Sequence, residues 1–467
     1  MCMLWQTSPQ TGILGQGILM SMRINLPEDV KRIIDRLSAE GFEAFAVGGC
    51  VRDTLLGRIP GDWDITTSAS PEQVKALFSY TIDTGIQHGT VTVMMNHVGY
   101  EVTTYRIDGE YEDARHPKEV IFTSNLVEDL KRRDFTINAM AYNEERGLVD
   151  EFGGIEDLKK GIIRCVGNPM ERFSEDALRM LRAVRFAAQL GFDIHEDTRQ
   201  AVKNLAPTIG KVSAERIAVE LVKTLISPNP QTIREAYDLG LTKIFLPEFD
   251  AMMETGQNNK HHMYNVGEHT LVALQNIDND KILRLTMLLH DIAKPVCRTT
   301  DSAGNDHFYG HEGHGTEMAR GVLRRLKFDN HTTDTVCRLI RFHDERPSLE
   351  PKKIRKFFAK AGLDLGPMLL QVKRADTLGQ SSYRQEEKLA YIEELEKMYQ
   401  EIVQNHICVQ KADLSVNGKD LIAMGMKPGK DMGLVIDQMF EAVLQDPSLN
   451  DRKNLLELAN KLAAPFI

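Results

Sequence analysis

The stretch that decides the fold reads AVGGCVRD at residues 46–53 and is followed by GDWDI at residues 61–65. An apolar strand ends here in a Gly-Gly turn beside Arg52, and a second short strand then presents Asp62 and Asp64. Because side chains alternate along a strand, the two carboxylates point to the same face. Like charges on one face repel each other, and a hard cation with oxygen ligands relieves that repulsion. The pattern therefore predicts that Asp62 and Asp64 bind Mg²⁺.

The Gly-Gly turn points to phosphate chemistry. Gly49 lets the backbone approach a phosphate closely, and the guanidinium of Arg52 can form a fork onto its oxygens. A Gly-Gly pair alone is typical of an ordinary turn, and an Asp-x-Asp of a solvated loop. Their adjacency favours a functional site, and metal-assisted phosphoryl or nucleotidyl transfer is the first hypothesis.

Composition bounds the class of protein. The 467 residues predict two to four domains, and 42% hydrophobic with 27% charged residues is ordinary for globular proteins. A net charge of −10 argues against a protein that covers nucleic acid with its whole surface. A nucleic acid partner would therefore have to bind at local basic patches. The six cysteines show no Cys-x-x-Cys pair, which favours reduced thiols in the cytoplasm. We expect no membrane segment, and a disordered extension at residues 1–21.

The periodicity of the chain changes near residue 150. Strands are expected at residues 44–47, 63–66, 90–95 and 99–106, and helices at residues 28–41, 52–57 and 71–78. Beyond residue 150 nearly all segments have helical spacing. The sequence therefore predicts an α+β fold, with a small mixed-sheet head followed by an elongated all-α remainder.

A basic cluster lies between these two parts, where residues 129–141 read DLKRRDFTINAMA. We expect a helix to start at this cluster. Basic residues at a helix start oppose its dipole, a cost that an anion bound there would offset. Arg133 could therefore bind triphosphate oxygens, and Asn138 a ribose hydroxyl or a phosphate.

A second arginine-rich segment reads RFSEDALRMLRAVRF at residues 172–186. Ser174 is expected to cap a helix. Along one face of this helix lie Asp176, Arg179, Arg182 and Arg185. A ladder of ion pairs along the helix would explain the pair Asp176–Arg179. It does not explain the surplus arginines, which favour an anionic ligand.

Together these motifs resemble those of class II nucleotidyltransferases, the family of tRNA CCA-adding enzymes and bacterial poly(A) polymerases. The resemblance implies a polymerase-β-like head in which Asp62 and Asp64 are the catalytic, Mg²⁺-binding residues. It implies that CTP and ATP are substrates and tRNA the partner. The nucleotide-binding residues that it implies are Gly49, Arg52, Arg133, Asp176, Arg179, Arg182 and Arg185. In this family, the acid and the first arginine of the second segment recognise the edge of the incoming base.

Two segments favour CCA addition over poly(A) synthesis. Residues 84–91 (TGIQHGTV) are similar to the CCA-type pattern, and residues 105–117 resemble the flexible loop of CCA- and A-adding enzymes. Addition of A alone stays open as an alternative.

The helical half contains histidines and aspartates in the order H…HD…D, which resembles the HD phosphohydrolase domain. The resemblance implies a metal site formed by His269, His290, Asp291 and Asp376, with His314 and His343 supporting a second metal or a substrate phosphate. Imidazole with carboxylate suits Mn²⁺, Ni²⁺, Fe²⁺ or Zn²⁺. The site could hydrolyse phosphate esters or be a structural clamp.

The expected domains are an extension at 1–21, a nucleotidyltransferase head at 22–150, a helical neck at 151–255, an HD domain at 256–380 and a helical tail at 381–467. Two competing classes stay open. One is an HD phosphohydrolase with a nucleotide-sensing head, and the other is a catalytically silent RNA-binding protein. The sequence predicts no oligomeric state.

Overall fold

A computed structural model describes residues 23–108, 120–258 and 263–467. The expected N-terminal extension and most of the loop at residues 105–117 lie outside these ranges. The chain forms two compact units, one of residues up to Ser213 with Asp238–Ile244, the other of Ala214–Tyr237 with Phe245–Ile467. The domain limits given above stay predictions.

The strands are β1 Ala44–Val47, β2 Ile65–Thr67, β3 Thr81–Gly85, β4 Thr90–Met95, β5 Val98–Thr104, β6 Arg106–Asp108, β7 Val120–Phe122, β8 Ala141–Asn143, β9 Gly147–Val149, β10 Ile162–Ile163, β11 Asp193–Ile194, β12 Thr299–Thr300 and β13 Asp306–His307.

The first α-helices of the chain are α1 Glu28–Ala39, α2 Gly49–Leu55, α3 Pro71–Leu77, α4 Leu126–Lys131, α5 Gly154–Lys160, α6 Pro169–Glu175, α7 Leu178–Leu190 and α8 Glu196–Leu205, and all of them belong to the first unit. They are followed by α9 Ala214–Leu225, α10 Ile233–Asp238 and α11 Thr242–Phe245, which lie in the part of the chain where the two units alternate. The remaining helices are α12 Pro247–Glu254, α13 Val266–Gln275, α14 Lys281–Leu289, α15 Lys294–Cys297, α16 His311–Arg325, α17 Asn330–Phe342, α18 Pro351–Ala361, α19 Gly366–Gly379, α20 Gln385–Gln404, α21 Gly418–Ala423, α22 Lys430–Gln445 and α23 Arg452–Ala463.

The head is built on a seven-stranded sheet in the order β3-β4-β5-β2-β1-β8-β9. β1 pairs antiparallel with β2 and β8, whereas β2 and β5 run parallel. Buried residues of β1 pack with α4 and β8 in one hydrophobic cluster that includes Phe45, Leu130 and Ala141. The mixed sheet and the helical second half confirm the predicted α+β class.

In the described residues of the second unit, the regular elements are helices apart from the short strand pair β12–β13. One cluster of buried residues joins α17 to α20 around Phe357, Phe358 and Leu395. Another joins α21, α22 and α23 around Val435, Met439 and Leu455. In the described part of the chain, no helix is both long and apolar enough to cross a bilayer.

Candidate active site and metal cluster

The Gly-Gly turn is present at the end of β1. Gly48 has φ +81°, a left-handed conformation that favours glycine. A Cβ atom at Gly48 would lie 2.8 Å from Nη1 of Arg133, so the arginine also requires its absence. Helix α2 begins at Gly49 instead of the expected residue 52, because the backbone of Arg52 already bonds to the carbonyl of Gly48. The turn thus packs directly against a guanidinium group.

The two predicted carboxylates lie just before β2. The expectation that they stand on the strand itself was wrong, since β2 begins only at Ile65. The carbonyl of Asp64 accepts the amide of Val47 at 3.0 Å, which fixes this segment beside the end of β1. Asp62 is exposed, whereas Asp64 is half-buried. Both residues therefore lie next to the Gly-Gly turn.

The electrostatics of Asp64 indicate excess negative charge. Burial raises its pKa, the neighbouring carboxylates of Asp62 and Glu101 raise it further, and Arg133 opposes them, giving a pKa of about 6. Among the described residues, these three carboxylates do not form a group whose ligand atoms all lie within 4.8 Å of one another. A hard cation that takes only one or two protein carboxylates fits this donor set.

A chain of hydrogen bonds connects α2 to α7. Arg52 donates to Asp53 at 2.9 Å and to Asn138 Oδ1 at 2.6 Å. Asn138 donates to Asp134 at 3.1 Å, and Arg182 donates from Nε to the same aspartate at 2.7 Å. Burial alone would raise the pKa of Asp134, but Arg182 and Asn138 lower it to about 2. Asn138 therefore joins two predicted nucleotide-binding arginines.

Three predicted arginines converge on one aromatic ring. The guanidinium carbons of Arg52, Arg182 and Arg185 lie 5.1, 5.5 and 4.2 Å from the ring centroid of Phe186. Cation–π contacts of this kind are attractive, but three cations around one ring also repel one another. The cluster is therefore a favourable place for an anion. Phe186 was not among the predicted site residues, although it directly follows Arg185 in the sequence.

The arginine-rich segment forms two helices, not one. The expected cap at Ser174 was wrong: α6 begins at Pro169, and the Ser174 hydroxyl donates to the carbonyl of Met170 at 2.7 Å. Asp176 follows α6 and accepts the amide of Leu178 at the start of α7, so it is not on the same helical stripe as the arginines. The observed start of α6 has its own sequence signal, because Asn168 is a favourable cap and a proline follows it at the first helical position.

Carboxylates outside the predicted ladder pair with its arginines. Arg179 donates to Glu175 at 2.6 Å and to two backbone carbonyls, while Arg182 bonds to Asp134. The side chain of Asp176, the expected partner of Arg179, accepts the backbone amide of Leu178 at 3.0 Å. Part of the excess positive charge inferred from the sequence is therefore neutralised within the protein.

The basic cluster ends a helix and does not start one. α4 runs from Leu126 to Lys131, with Asn125 as its cap, so its basic residues lie at the end that the dipole favours. The expected dipole cost was wrong. Buried Asp129 bonds to Arg132 at 2.8 Å and lies 3.8 Å from Arg133. Arg133 is thereby held over the glycine turn.

The structure brings together His269, His290, Asp291 and Asp376, whose ligand atoms all lie within 4.8 Å of one another. All four residues are buried. His269 Nε2 lies 3.2 Å from His290 Nε2 and 3.0 Å from Asp376 Oδ1. Burial alone would lower the pKa of His290, but Asp291 and Asp376 raise it to about 10. Imidazoles and carboxylates so arranged fit a divalent transition metal.

A second group shares Asp291 and consists of Asp291, His311 and His343. The sequence analysis predicted His314 as the supporting residue, but its side chain is exposed. His311, one helical turn earlier, is buried in the cluster. The spacing of three residues on α16 was the available signal. It could not show which histidine faces inward.

Comparison with known proteins identifies the family. Residues 44–164 match the model of the poly A polymerase head domain, residues 191–253 the model described as "Probable RNA and SrmB- binding site of polymerase A", and residues 309–459 a tRNA nucleotidyltransferase domain 2. A CCA-adding enzyme of Ligilactobacillus salivarius is 35% identical over 446 residues, which are 94% of this chain and 98% of that protein. The chain belongs to the CCA-adding enzyme family.

Other members of the family agree with this assignment. A CCA-adding enzyme of Enterococcus faecalis is 35% identical over 93% of this chain and 97% of its own length. The crystal structure of the Bacillus stearothermophilus CCA-adding enzyme in complex with CTP superimposes with a TM-score of 0.69 at 30% identity, covering 93% of this chain and 96% of that one. The family resemblance that the sequence motifs indicated is confirmed. Nucleotidyltransferases of this family are expected to use a divalent metal, and the described residues include groups that could hold one.

Proposed function

We propose that this chain adds C, C and A to the 3′ end of tRNA, using CTP and ATP. The observation that carries the proposal is the match over nearly the whole chain to CCA-adding enzymes, one of which has a structure in complex with CTP. The residues around the Gly-Gly turn supply the chemistry such a reaction needs. The alternatives are addition of A alone and a head that only senses nucleotides.

Asp62 and Asp64 are proposed to hold Mg²⁺. Their fit rests on their position beside the Gly-Gly turn and on the raised pKa of Asp64, which reflects burial of this carboxylate and the nearby charge of Asp62. Mg²⁺ bound there would lower the pKa of the attacking tRNA hydroxyl and neutralise charge on the α-phosphate. In the reaction, the 3′ oxygen bonds to the α-phosphorus, and the bond to the pyrophosphate oxygen breaks.

The triphosphate is proposed to lie against Gly49, Arg52 and Arg133. Gly49 lies beside the guanidinium of Arg52, since a Cβ atom at this position would be 3.8 Å from Arg52 Nη2. Arg133 is fixed above the turn by Asp129 and lies where a phosphate could approach the glycine backbone. The protein groups thus orient the leaving pyrophosphate.

Recognition of the base is assigned to Asp176 and Arg179, with Arg182 and Arg185 nearby. A carboxylate and a guanidinium together offer acceptors and donors to a base edge that has both. Because Arg179 already bonds to Glu175, base recognition requires that it share or exchange that contact. Arg182 is held by Asp134 and thereby connected to Arg52.

The test is incubation with tRNA ending at the discriminator base, together with CTP, ATP and Mg²⁺, followed by sequencing of the 3′ ends. Three added residues, C, C and A, are expected. Growth only on tRNA that already ends in CC would indicate an A-adding enzyme. Long homopolymer tracts would contradict the proposal in favour of poly(A) synthesis. Binding of tRNA without any incorporation would favour a silent RNA-binding protein.

We further propose that His269, His290, Asp291 and Asp376 bind Mn²⁺, Ni²⁺, Fe²⁺ or Zn²⁺ in an HD-type phosphohydrolase site. A specific observation favours a metal over a clamp. The Nδ1 atoms of His269 and His290 lie 2.9 and 2.7 Å from backbone carbonyls and donate to them, so in both rings Nε2 is the nitrogen that would coordinate a metal. In hydrolysis, a water oxygen bonds to phosphorus, the ester P–O bond breaks, and the alcohol leaves with a proton.

We also propose that the protein acts in the cytoplasm. Support comes from the five cysteines in the described residues, all of which are free thiols, as a reducing compartment would maintain them.

A further inference from the structure

The ring of Phe186 lies among the arginines of the proposed nucleotide site and carries no reactive group of its own. The residue belongs to α7 and is 5% exposed. Buried Phe135, which directly follows Asp134, meets it edge to face with ring centroids 5.7 Å apart. This aromatic pair connects α7 to the segment that follows α4, so the ring has a fixed place in the first unit.

Arginines from two helices share this ring. Arg52 on α2 places its guanidinium carbon 5.1 Å from the ring centroid, and Arg182 and Arg185 on α7 place theirs at 5.5 and 4.2 Å. Arg182 is four residues before Phe186 on the same helix, where side chains are neighbours, whereas Arg52 is brought to the ring by the fold. The ring thus connects an arginine of the proposed triphosphate site with two arginines beside the proposed base-reading pair.

Hydrogen bonds hold two of these guanidinium groups mainly within their own planes. Arg52 donates from Nε and Nη2 to Asp53 at 2.9 Å and from Nη1 to Asn138 at 2.6 Å. Arg182 donates from Nε to Asp134 at 2.7 Å. A contact with the electron-rich face of a ring attracts a guanidinium group without consuming an N–H donor. The ring can therefore orient the arginines without competing with a nucleotide for their N–H groups.

We propose that Phe186 is a positioning residue for nucleotide addition, whose ring holds Arg52, Arg182 and Arg185 at the spacing that an incoming nucleoside triphosphate requires. This inference rests on the nucleotide site proposed above and adds a residue to it. The ring acts through the three arginines and not by contact with the substrate. Because these arginines serve the phosphates and the base, CTP and ATP should both depend on the ring, whereas the affinity for tRNA should not.

Fluorination of the ring tests the proposal with little change of its shape. Each fluorine atom withdraws electron density from the ring face, so phenylalanines with one, two and three fluorine atoms at position 186 weaken the attraction for cations stepwise. Calorimetry gives the Kd of CTP. Incorporation of labelled nucleotide into tRNA gives kcat and the KM values of CTP, ATP and tRNA. We expect Kd and KM of both nucleotides to rise in steps to about tenfold, with the KM of tRNA unchanged.

Phe45 is the matched control for fluorination. It is buried on β1, and the guanidinium carbon of Arg146 lies 5.4 Å from its ring centroid, so it has a cation–π contact of its own. Arg146 pairs with Glu43 at an exposed position and is not one of the arginines assigned to the nucleotide. The same fluorinated residues at position 45 should therefore leave the Kd of CTP unchanged.

Natural substitutions give a second comparison. Phe186→Tyr keeps the ring face and should keep the KM of CTP within about twofold, whereas Phe186→Leu removes the face and should raise it about tenfold, with a smaller effect on kcat. Circular dichroism verifies that each variant is folded. Should Phe186→Leu not fold, the fluorinated series still decides the question, because it retains the ring.

The outcomes separate this inference from the function on which it rests. Equal Kd and KM values of CTP throughout the fluorinated series at position 186 would overturn the role of the ring. A loss of kcat alone, equal in Phe186→Leu and Phe186→Tyr, would overturn it too, because Phe186 would then only support the fold. If the unmodified protein added no nucleotide to tRNA, the proposed function would fail and this inference with it.

Discussion

Replacing Asp64 by asparagine should stabilise the metal-free head. Burial and the neighbouring Asp62 and Glu101 raise the pKa of Asp64 from 3.8 to about 6. The folded state therefore holds the proton more tightly than the unfolded state, and ionisation of Asp64 costs folding free energy above pH 6. A shift of about two pKa units corresponds to an upper limit of about 3 kcal/mol. Asparagine removes this cost.

The size of this gain depends on pH. The gain from Asp64→Asn should be largest above pH 6, shrink as the pH falls through 6 towards 4, and vanish below the unfolded pKa of 3.8. Mg²⁺ should diminish the gain at neutral pH, because the cation stabilises the carboxylate but not the amide. Loss of nucleotide addition should accompany the gain in stability.

The assay is urea unfolding followed by the fluorescence of Trp63, which lies between the two carboxylates. The chain has two tryptophans, so Trp5→Phe makes Trp63 the single reporter. This probe follows the unit that contains it, which matters in a chain of two units. Asp83→Asn, an exposed aspartate paired with Lys75, is the control, with an expected change below about 1 kcal/mol.

Two results would refute this reasoning. One is an unchanged unfolding midpoint for Asp64→Asn at pH 7.5 in EDTA. The other is a gain of the same size at pH 4, because a gain without the charge would come from the packing of the amide.

Three further predictions concern other contacts. Asp134→Ala removes the buried acceptor of Arg182 and should lower the free energy of unfolding by about 3 kcal/mol, measured by urea denaturation against Asp134→Asn, which should lose less. Gly48→Ala forces a Cβ to 2.8 Å from Arg133 in a left-handed conformation, so stability should fall by about 1–2 kcal/mol and CTP should bind more weakly by calorimetry; unchanged binding would show that the turn is not part of the site. Gly379→Ala places a Cβ 3.0 Å from the imidazole of His269 and should therefore weaken Mn²⁺ binding at the second unit, measured by equilibrium dialysis. An unchanged affinity would argue against His269 as a ligand.

Local signals predicted some elements of the head, whereas β3, β8 and β9 were not predicted. Strand β1 was predicted with its observed bounds, and α3 starts at the predicted residue 71, where the side chain of Ser70 accepts the Gln73 amide. Such features depend on residues adjacent in sequence, and one side-chain contact decides them. The mixed sheet followed from several of these elements together.

Errors arose where distant parts of the chain decide the outcome. The sequence analysis expected a helix capped by Ser174, whereas the structure begins α6 at Pro169 with Asn168 as its cap. It could not show that Asp134, 48 residues away, pairs with Arg182. Nor could periodicity decide between His311 and His314, since the packing of α16 on α17 sets which one faces the cluster.

The most direct test of the central claim is a change of metal at the head carboxylates. Asp64→Cys replaces an oxygen ligand by a thiolate, which prefers softer ions than Mg²⁺. We predict that this variant adds almost no CMP to tRNA with Mg²⁺ and regains addition with Mn²⁺ or Cd²⁺, whereas Asp64→Ala regains none. Full CMP addition by either variant with Mg²⁺ alone would contradict the proposal that these carboxylates hold the catalytic ion.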